Sequence, residues 1–197
     1  MMGKEDGLIR RLRAGDRGTY EHVVSAYHGA MTRLARSIIG DAAAEEIVQE
    51  AWIKAIRSLP GFEGRSSLRV WLLRIVRNEA LSTLRKISRA PTTESFGDDE
   101  TDGRYNANGS WRVPPSAWSG DTPEALVAVE EMRAVVDKTL AVMPSLQRSV
   151  LTLRDVDEIS LNEICNILDI SASNARVLLH RARMRLWLAI DQYQQGK

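Results

Sequence analysis

The sequence predicts an all-α protein: two small helical domains joined by a flexible linker. Apolar residues recur at helical spacing wherever they cluster and show no strand-like alternation. Between about Ala90 and Asp121 that pattern stops. Pro91, Gly97, Gly103, Gly109, Pro114, Pro115 and Gly120 break every candidate helix, around the acidic run Asp98–Asp102. A chain of 197 residues has room for two such domains. The boundaries read as 1–90, 91–121 and 122–192.

Taken in order, Leu8, Ile9 and Leu12 suggest a short first helix. Tyr20, Val23, Val24, Tyr27, Met31, Leu34 and Ile38 then keep a helical period until Gly40, which can end a helix. Asp41 opens a third, with Ile47, Ala51, Trp52, Ala55 and Ile56 on one face, and Pro60-Gly61 stops it. Phe62 to Ser67 is a small, polar loop. Leu68 to Ile87 is a long amphipathic helix whose apolar side carries Trp71, Leu72, Ile75, Val76 and Leu84. In the linker, Trp111 and Trp118 are unusual for a solvated tether. Thr122-Pro123 marks the next start, with Thr122 as cap and Pro in the first turn. Leu126, Val129, Met132, Val136 and Leu140 carry that helix to a break at Pro144-Ser145. The tail after Asp191 is polar and predicts fraying.

The richest stretch is Ser160 to Arg185. Ser160 and Glu163 have capping-box spacing, and Ile164, Ile167 and Leu168 form an apolar stripe behind them. A turn through Asp169 and Ile170 leads to Ser171, which can cap a second helix. Asp tolerates the left-handed conformation that such a turn requires. Helices joined so tightly need a small residue where they touch, and Cys165 is placed to supply it. This is a helix-turn-helix pattern, whose second helix enters the major groove. Near its start stand Ser171, Ser173, Asn174, Arg176 and Val177. Asn can pair bidentately with adenine and Arg with guanine. His180, Arg181, Arg183 and Arg185 follow, and cations there suit phosphates, which position without reading sequence. From Ser173 to Arg185 there is no acid.

Charge supports a nucleic-acid partner only locally. The net charge is +1, yet Arg65–Arg89 holds seven basic residues against Glu79 alone. Between Glu94 and Glu124 seven acids face Arg104 and Arg112. The lone Cys165 leaves no internal disulfide and no zinc-ligand spacing. His22, His28 and His180 are scattered, and no Gly-rich phosphate loop follows a strand. The expectation is therefore a non-enzymatic protein without cofactor or metal. The N-terminus lacks the apolar core of a signal peptide and no stretch reaches membrane-span length, so a cytoplasmic location without membrane insertion is expected.

Two separated stretches carry a resemblance. Asp41-Ala-Ala-Ala-Glu-Glu-Ile-Val-Gln-Glu-Ala-Trp52, with Phe62 to Ala80, resembles region 2 of bacterial sigma factors. Leu140 to Arg154, continued through Arg185, resembles their region 4. Two such regions with little between them resemble the extracytoplasmic-function group. The resemblance implies a subunit that binds core RNA polymerase, recognises the −35 and −10 promoter elements and helps melt the duplex. It places Asp41, Glu45, Glu46, Gln49 and Glu50 against the β′ coiled coil, and region 4 on the β flap. Acids near a helix start also complement the macrodipole, which accounts for Asp41 and Glu45 but poorly for Gln49 and Glu50. It places the Phe62–Leu68 loop where a flipped −10 base is captured. Around that loop, Arg65, Arg69, Arg74 and Arg77 are candidates for phosphate contact, and Ser66, Ser67 and Asn78 for base edges. Trp71 lies on the apolar side, where packing competes with base stacking. Many relatives are restrained by an anti-sigma protein, and no residue here identifies one. The competing reading is a dimeric helix-turn-helix regulator acting without polymerase.

Overall fold

A computed structural model describes residues 2–87 and 123–195, and every regular element among them is helical. The linker expectations, including the Asp98–Asp102 run, Trp111, Trp118 and the Thr122 cap, lie outside the described residues.

The first group is built on α2 (Arg17–Ile39). Asp16 caps it by accepting from the Thr19 amide at 2.9 Å. Hydrogen bonds from the Thr19 hydroxyl and amide hold the Asp16 carboxyl below the usual carboxylate range. Gly40 ends the helix with φ +87°, a conformation glycine takes freely, and α3 (Asp41–Ser58) starts at once. This one-residue junction folds α3 back along α2. A 3₁₀ turn at Leu59–Gly61 and a loop then lead into α4 (Leu68–Ile87), whose bounds match the predicted ones. Met31, Leu34, Val48, Ala51, Leu72 and Val76, each no more than 2 % exposed, fill the space among the three helices. Each fully buried Leu, Val or Met of this kind contributes about 1.5–3 kcal/mol. The short α1 (Met2–Arg13) lays Ile9 and Leu12 against this bundle.

The second group contains α5 (Pro123–Val142), α6 (Ser145–Leu151), α7 (Leu161–Leu168) and α8 (Ala172–Gln195). The break at Pro144 occurs as predicted. Val129 lies half exposed rather than on a buried stripe, because α5 packs chiefly along α8. A π-helical turn at Thr152–Val156, for which the sequence carries no local signal, widens the backbone before Asp157. The Asp157 amide then bonds the Thr152 carbonyl at 3.0 Å. The helix-turn-helix forms as its signals require. Both halves of the Ser160–Glu163 capping box are present, and Asp169 adopts φ +55° in the left-handed region. Two expectations are corrected. Cys165 is only partly buried, while the small residue fully buried in this motif is Ala175. The tail is not frayed at Asp191: α8 continues to Gln195, and the Tyr193 hydroxyl donates to Glu131 on α5 at 2.5 Å.

The two groups pack on each other, α6 against α2 and α7 against α4, and their buried side chains form one connected cluster. At the α2–α6 seam the Ser37 and Ser149 hydroxyls meet at 2.8 Å, both buried. Arg148 beside them donates to the carbonyls of Ser37 and Leu140, each at 2.8 Å.

Candidate nucleic-acid interface

The start of α8 presents the short polar groups that the pattern placed there. The Ser171 hydroxyl accepts from the Asn174 amide at 3.2 Å and lies 3.0 Å from the Ser173 hydroxyl. Ser173 and Arg176 are exposed, as is Val177 at 42 %, whereas Asn174, His180 and Arg181 are half buried. Val177 therefore faces outward, where a methyl group can meet a thymine methyl, and does not serve packing. Leu178 and Leu179 do that instead. Arg183 departs from its phosphate-clamp expectation. Its side chain is 11 % exposed and grips the Asp155 carboxylate with two bonds, at 2.6 and 2.9 Å. Its fork geometry is used inside the second group, on a partner 28 residues earlier. Arg176 and Arg185 remain as the exposed arginines of α8.

The loop before α4 is corrected at one residue. Phe62 is 6 % exposed, and its ring packs on Trp71 at 4.8 Å between centroids. The aromatic pair belongs to the core, so the Phe62 ring does not face a base. Ser67 is partly committed too: its hydroxyl accepts from the Val70 amide at 3.3 Å, capping α4. Ser66 is half buried, and Arg65 is outside, paired with Glu63 at 2.7 Å.

Along α4 the basic residues divide between two faces. Arg74 and Asn78, four apart, share an exposed face. Arg69, Leu73 and Arg77, also at four-residue steps, share another, and Leu73 there is 1 % exposed. The second group covers that face. Arg69 donates to the Asp157 carbonyl at 2.7 Å, and Arg77 donates to the Leu168 carbonyl at 3.1 Å. Arg33 of α2 donates to the Asp157 carboxylate through both Nε and a terminal nitrogen. The Asp157 side chain is fully buried, and its Oδ2 has no partner among the described residues. Sequence reasoning missed Asp157 and Arg33, since nothing local links positions so far apart.

On α3, Asp41 pairs with Arg36 at 3.2 Å and Glu45 lies 3.4 Å from His28 Nε2. Glu46, Gln49 and Glu50 are exposed. Ile53 and Ile56, 41 % and 51 % exposed, continue the strip. Ile56 was expected on the inner face, and Trp52, half buried with its indole NH 3.3 Å from His28 Nδ1, sits at that face's edge. The surface is thus acidic with an apolar end. Among the described residues no three of His, Cys, Asp and Glu converge as metal ligands would. No helix among them is long and apolar enough to cross a membrane.

Residues 23–90 match the Sigma-70 region 2 family and residues 133–186 match Sigma-70, region 4. The ECF RNA polymerase sigma-E factor of Escherichia coli (strain K12) is 30% identical over 176 residues, 89% of this chain and 88% of that protein. The chain belongs to the ECF RNA polymerase sigma factors. The sigma-E factor of Haemophilus influenzae is 28% identical over 179 residues, 91% of each chain. Two solved structures share the sigma-factor fold. One is the sigma factor RpoE in complex with the anti-sigma factor NepR from Bartonella quintana. It has a TM-score of 0.58 and 21% identity, covering 87% of this chain and 96% of that one. The other is CnrH in complex with the cytosolic domain of CnrY, with TM-score 0.59, 17% identity and coverage of 95% and 97%. Residues 23–90 hold most of α2 together with α3 and α4, and 133–186 hold the helix-turn-helix. As a sigma factor the chain is a transcription-initiation subunit that binds core RNA polymerase and promoter DNA.

Proposed function

We propose that the chain's described form is a closed sigma factor whose promoter-reading surfaces are completed only on polymerase. The observation that carries this reading is the double use of α4. Arg69 and Arg77 stand in the basic segment assigned to the −10 strand, yet both bond the helix-turn-helix group. Each guanidinium thus spends a donor on a carbonyl across the seam that it could otherwise give to a phosphate.

Geometry adds to this. The two promoter elements, named for their positions, lie roughly 25 base pairs apart, about 85 Å along B-form duplex. With α7 seated on α4, both elements cannot be engaged at once. Binding to core would separate the groups, free Arg69 and Arg77, and set the distance between readers. A ligand shifts such an equilibrium by its differential affinity for the two states.

In the open form, Ser171, Ser173, Asn174, Arg176 and Val177 read −35 base edges, and His180, Arg181 and Arg185 lie along the backbone. Arg65, Ser66, Arg69, Arg74, Arg77 and Asn78 hold the melted −10 strand. Asp41, Glu45, Glu46, Gln49 and Glu50 face the β′ coiled coil, with Ile53 and Ile56 as the apolar end of that patch, while region 4 meets the β flap. The domain limits 1–90 and 122–192 follow this division. Because RpoE, of similar fold, was solved with an anti-sigma factor, an anti-sigma protein is the proposed restraint here too. A dimeric regulator is not favoured, since the helix-turn-helix is packed against its own region 2.

The test is transcription with purified core enzyme, alongside binding of the free chain to the same promoter duplex. The expected result is promoter-dependent product with core and weak duplex binding without it. Tight, sequence-specific binding of the free chain to a palindrome would sink the reading.

A further inference from the structure

The helix α1 lies outside the residues matched to region 2, which begin at 23. Its position is nevertheless tied to the loop before α4. Arg13 donates through a terminal nitrogen to the Phe62 carbonyl at 2.5 Å and through Nε to the Leu59 carbonyl at 3.4 Å. At the other end, the Glu5 carboxylate accepts from the Leu68 amide at 2.6 Å. That amide opens α4 and has no partner within its own helix.

Glu5 and Arg13 stand two turns apart on one side of α1, with Ile9 between them; Ile9 and Leu12, 8 % and 2 % exposed, seat the helix in the core. Eight residues of helix span about 12 Å. That length bridges the loop from its first carbonyls to the amide at its end. The loop itself has little to hold it. Gly61 and Gly64 lower its stiffness, and Gly64 sits at φ +72°. A segment that must accept an unstacked base needs its backbone fixed to within about 0.5 Å. The Phe62 ring, seated on Trp71, anchors one point, and α1 supplies the two ends. Asp6, Arg10 and Arg13 also form one wall of an open cleft of about 730 Å³, whose other wall is Pro60, Phe62 and Gly64.

We propose that α1 is a brace for the −10 loop, with Arg13 and Glu5 as positioning residues that hold the loop in its base-accepting shape. The proposal rests on the reading of the loop as the −10 base acceptor. Neither residue needs to touch DNA. Their contribution is to keep residues 63–66 from relaxing, so their loss lowers discrimination among bases more than overall attachment.

The test uses the full chain with core polymerase on a pre-melted promoter carrying each of the four bases, or an abasic site, at the captured −10 position. Stable complexes are counted as the ratio of best to worst base. Arg13→Ala and Glu5→Ala are expected to reduce that ratio about tenfold, the size of one lost base contact. Glu5→Gln keeps an oxygen that can accept from the Leu68 amide and retains most of the ratio. Val23→Ala, a core truncation on α2, lowers the melting temperature and leaves the ratio unchanged, which separates positioning from general stability. An unchanged ratio in Arg13→Ala and Glu5→Ala overturns the brace, as does an equal loss on all templates including the abasic one. The double variant Gly64→Ala/Ser66→Ala disturbs the loop directly. If it collapses the ratio while Arg13→Ala does not, the brace alone fails; if neither moves it, the loop reading fails as well.

Discussion

Arg69 of α4 lies 2.7 Å from the Asp157 carbonyl and 3.7 Å from its carboxylate, across the seam between region 2 and region 4. Arg33 completes the contact on the same carboxylate. One acid of region 4 therefore engages two cations of region 2. The clasp is suited to release. The Asp157 side chain is fully buried with one oxygen unpartnered, so closure carries a desolvation cost that opening recovers. Both arginines keep over a third of their side-chain surface in solvent, at 44% and 37%, and need little rearrangement to leave.

Asp157→Asn keeps the shape and removes the charge. With screening by solvent at the arginines, the expected shift toward the open form is about 1–2 kcal/mol. Small-angle scattering on the free chain would read this as a larger radius of gyration. Free-chain binding to a −35 duplex should tighten in parallel. Arg33→Ala should act in the same direction, and Arg33→Glu with Asp157→Arg should partly close the chain again. A radius unchanged in all three would remove the clasp as the closing element.

Arg176 and Arg183 should separate by kind of defect. Arg176 is exposed at the start of α8, so Arg176→Ala should cost roughly 1–3 kcal/mol at one −35 base pair and little at the others. Arg183 is committed to Asp155, so Arg183→Ala should lower the melting temperature and leave the salt dependence of duplex binding nearly unchanged. Loss of about one unit of salt slope in Arg183→Ala would restore it to the phosphate contacts.

Most of the fold was legible because its signals are local. The Ser160–Glu163 box, the Asp169 turn, Gly40 and the Leu68–Ile87 period each lie within a few residues of what they specify. The site was legible only as a set of residue types in two segments. The structure reassigned Phe62, Arg183 and Ile56 through neighbours in space. The Phe62 ring found Trp71, nine positions on, and Arg183 found Asp155, 28 residues earlier. Ile56 lost its inner place because Ile47, Ala51 and Ala55 already fill the α3 core face. Asp157 was invisible for a similar reason. Its partners are 88 and 124 residues away, and the π-helical turn that precedes it leaves no compositional mark.

Acid stability should report on Asp16. Its carboxyl is held below the usual range by the Thr19 hydroxyl and amide, so the folded form favours the charged cap. The contribution is full above the unfolded carboxylate value near 4 and is lost as pH falls through the lower folded value. Asp16→Asn keeps a capping oxygen but cannot titrate, so its melting temperature should fall less steeply than the parent's as pH drops below about 4. Parallel curves for the two proteins would mean that this cap does not contribute to acid unfolding.

The α3 strip should divide into a charged and an apolar contribution to core binding. Glu46, Gln49 and Glu50 are exposed without sharing the inner face, so Gln49→Lys/Glu50→Lys should leave the helical fold and melting temperature intact. Against a basic partner, reversal of charge acts mainly on the association rate and makes it less sensitive to salt. Ile53 and Ile56 expose apolar surface that docking would bury. Ile53→Ser should therefore act on dissociation, weakening core affinity by about 1–2 kcal/mol with little salt dependence. Association and dissociation rates measured with purified core at two salt concentrations distinguish the two. Unchanged rates in both variants would remove α3 from the docking surface.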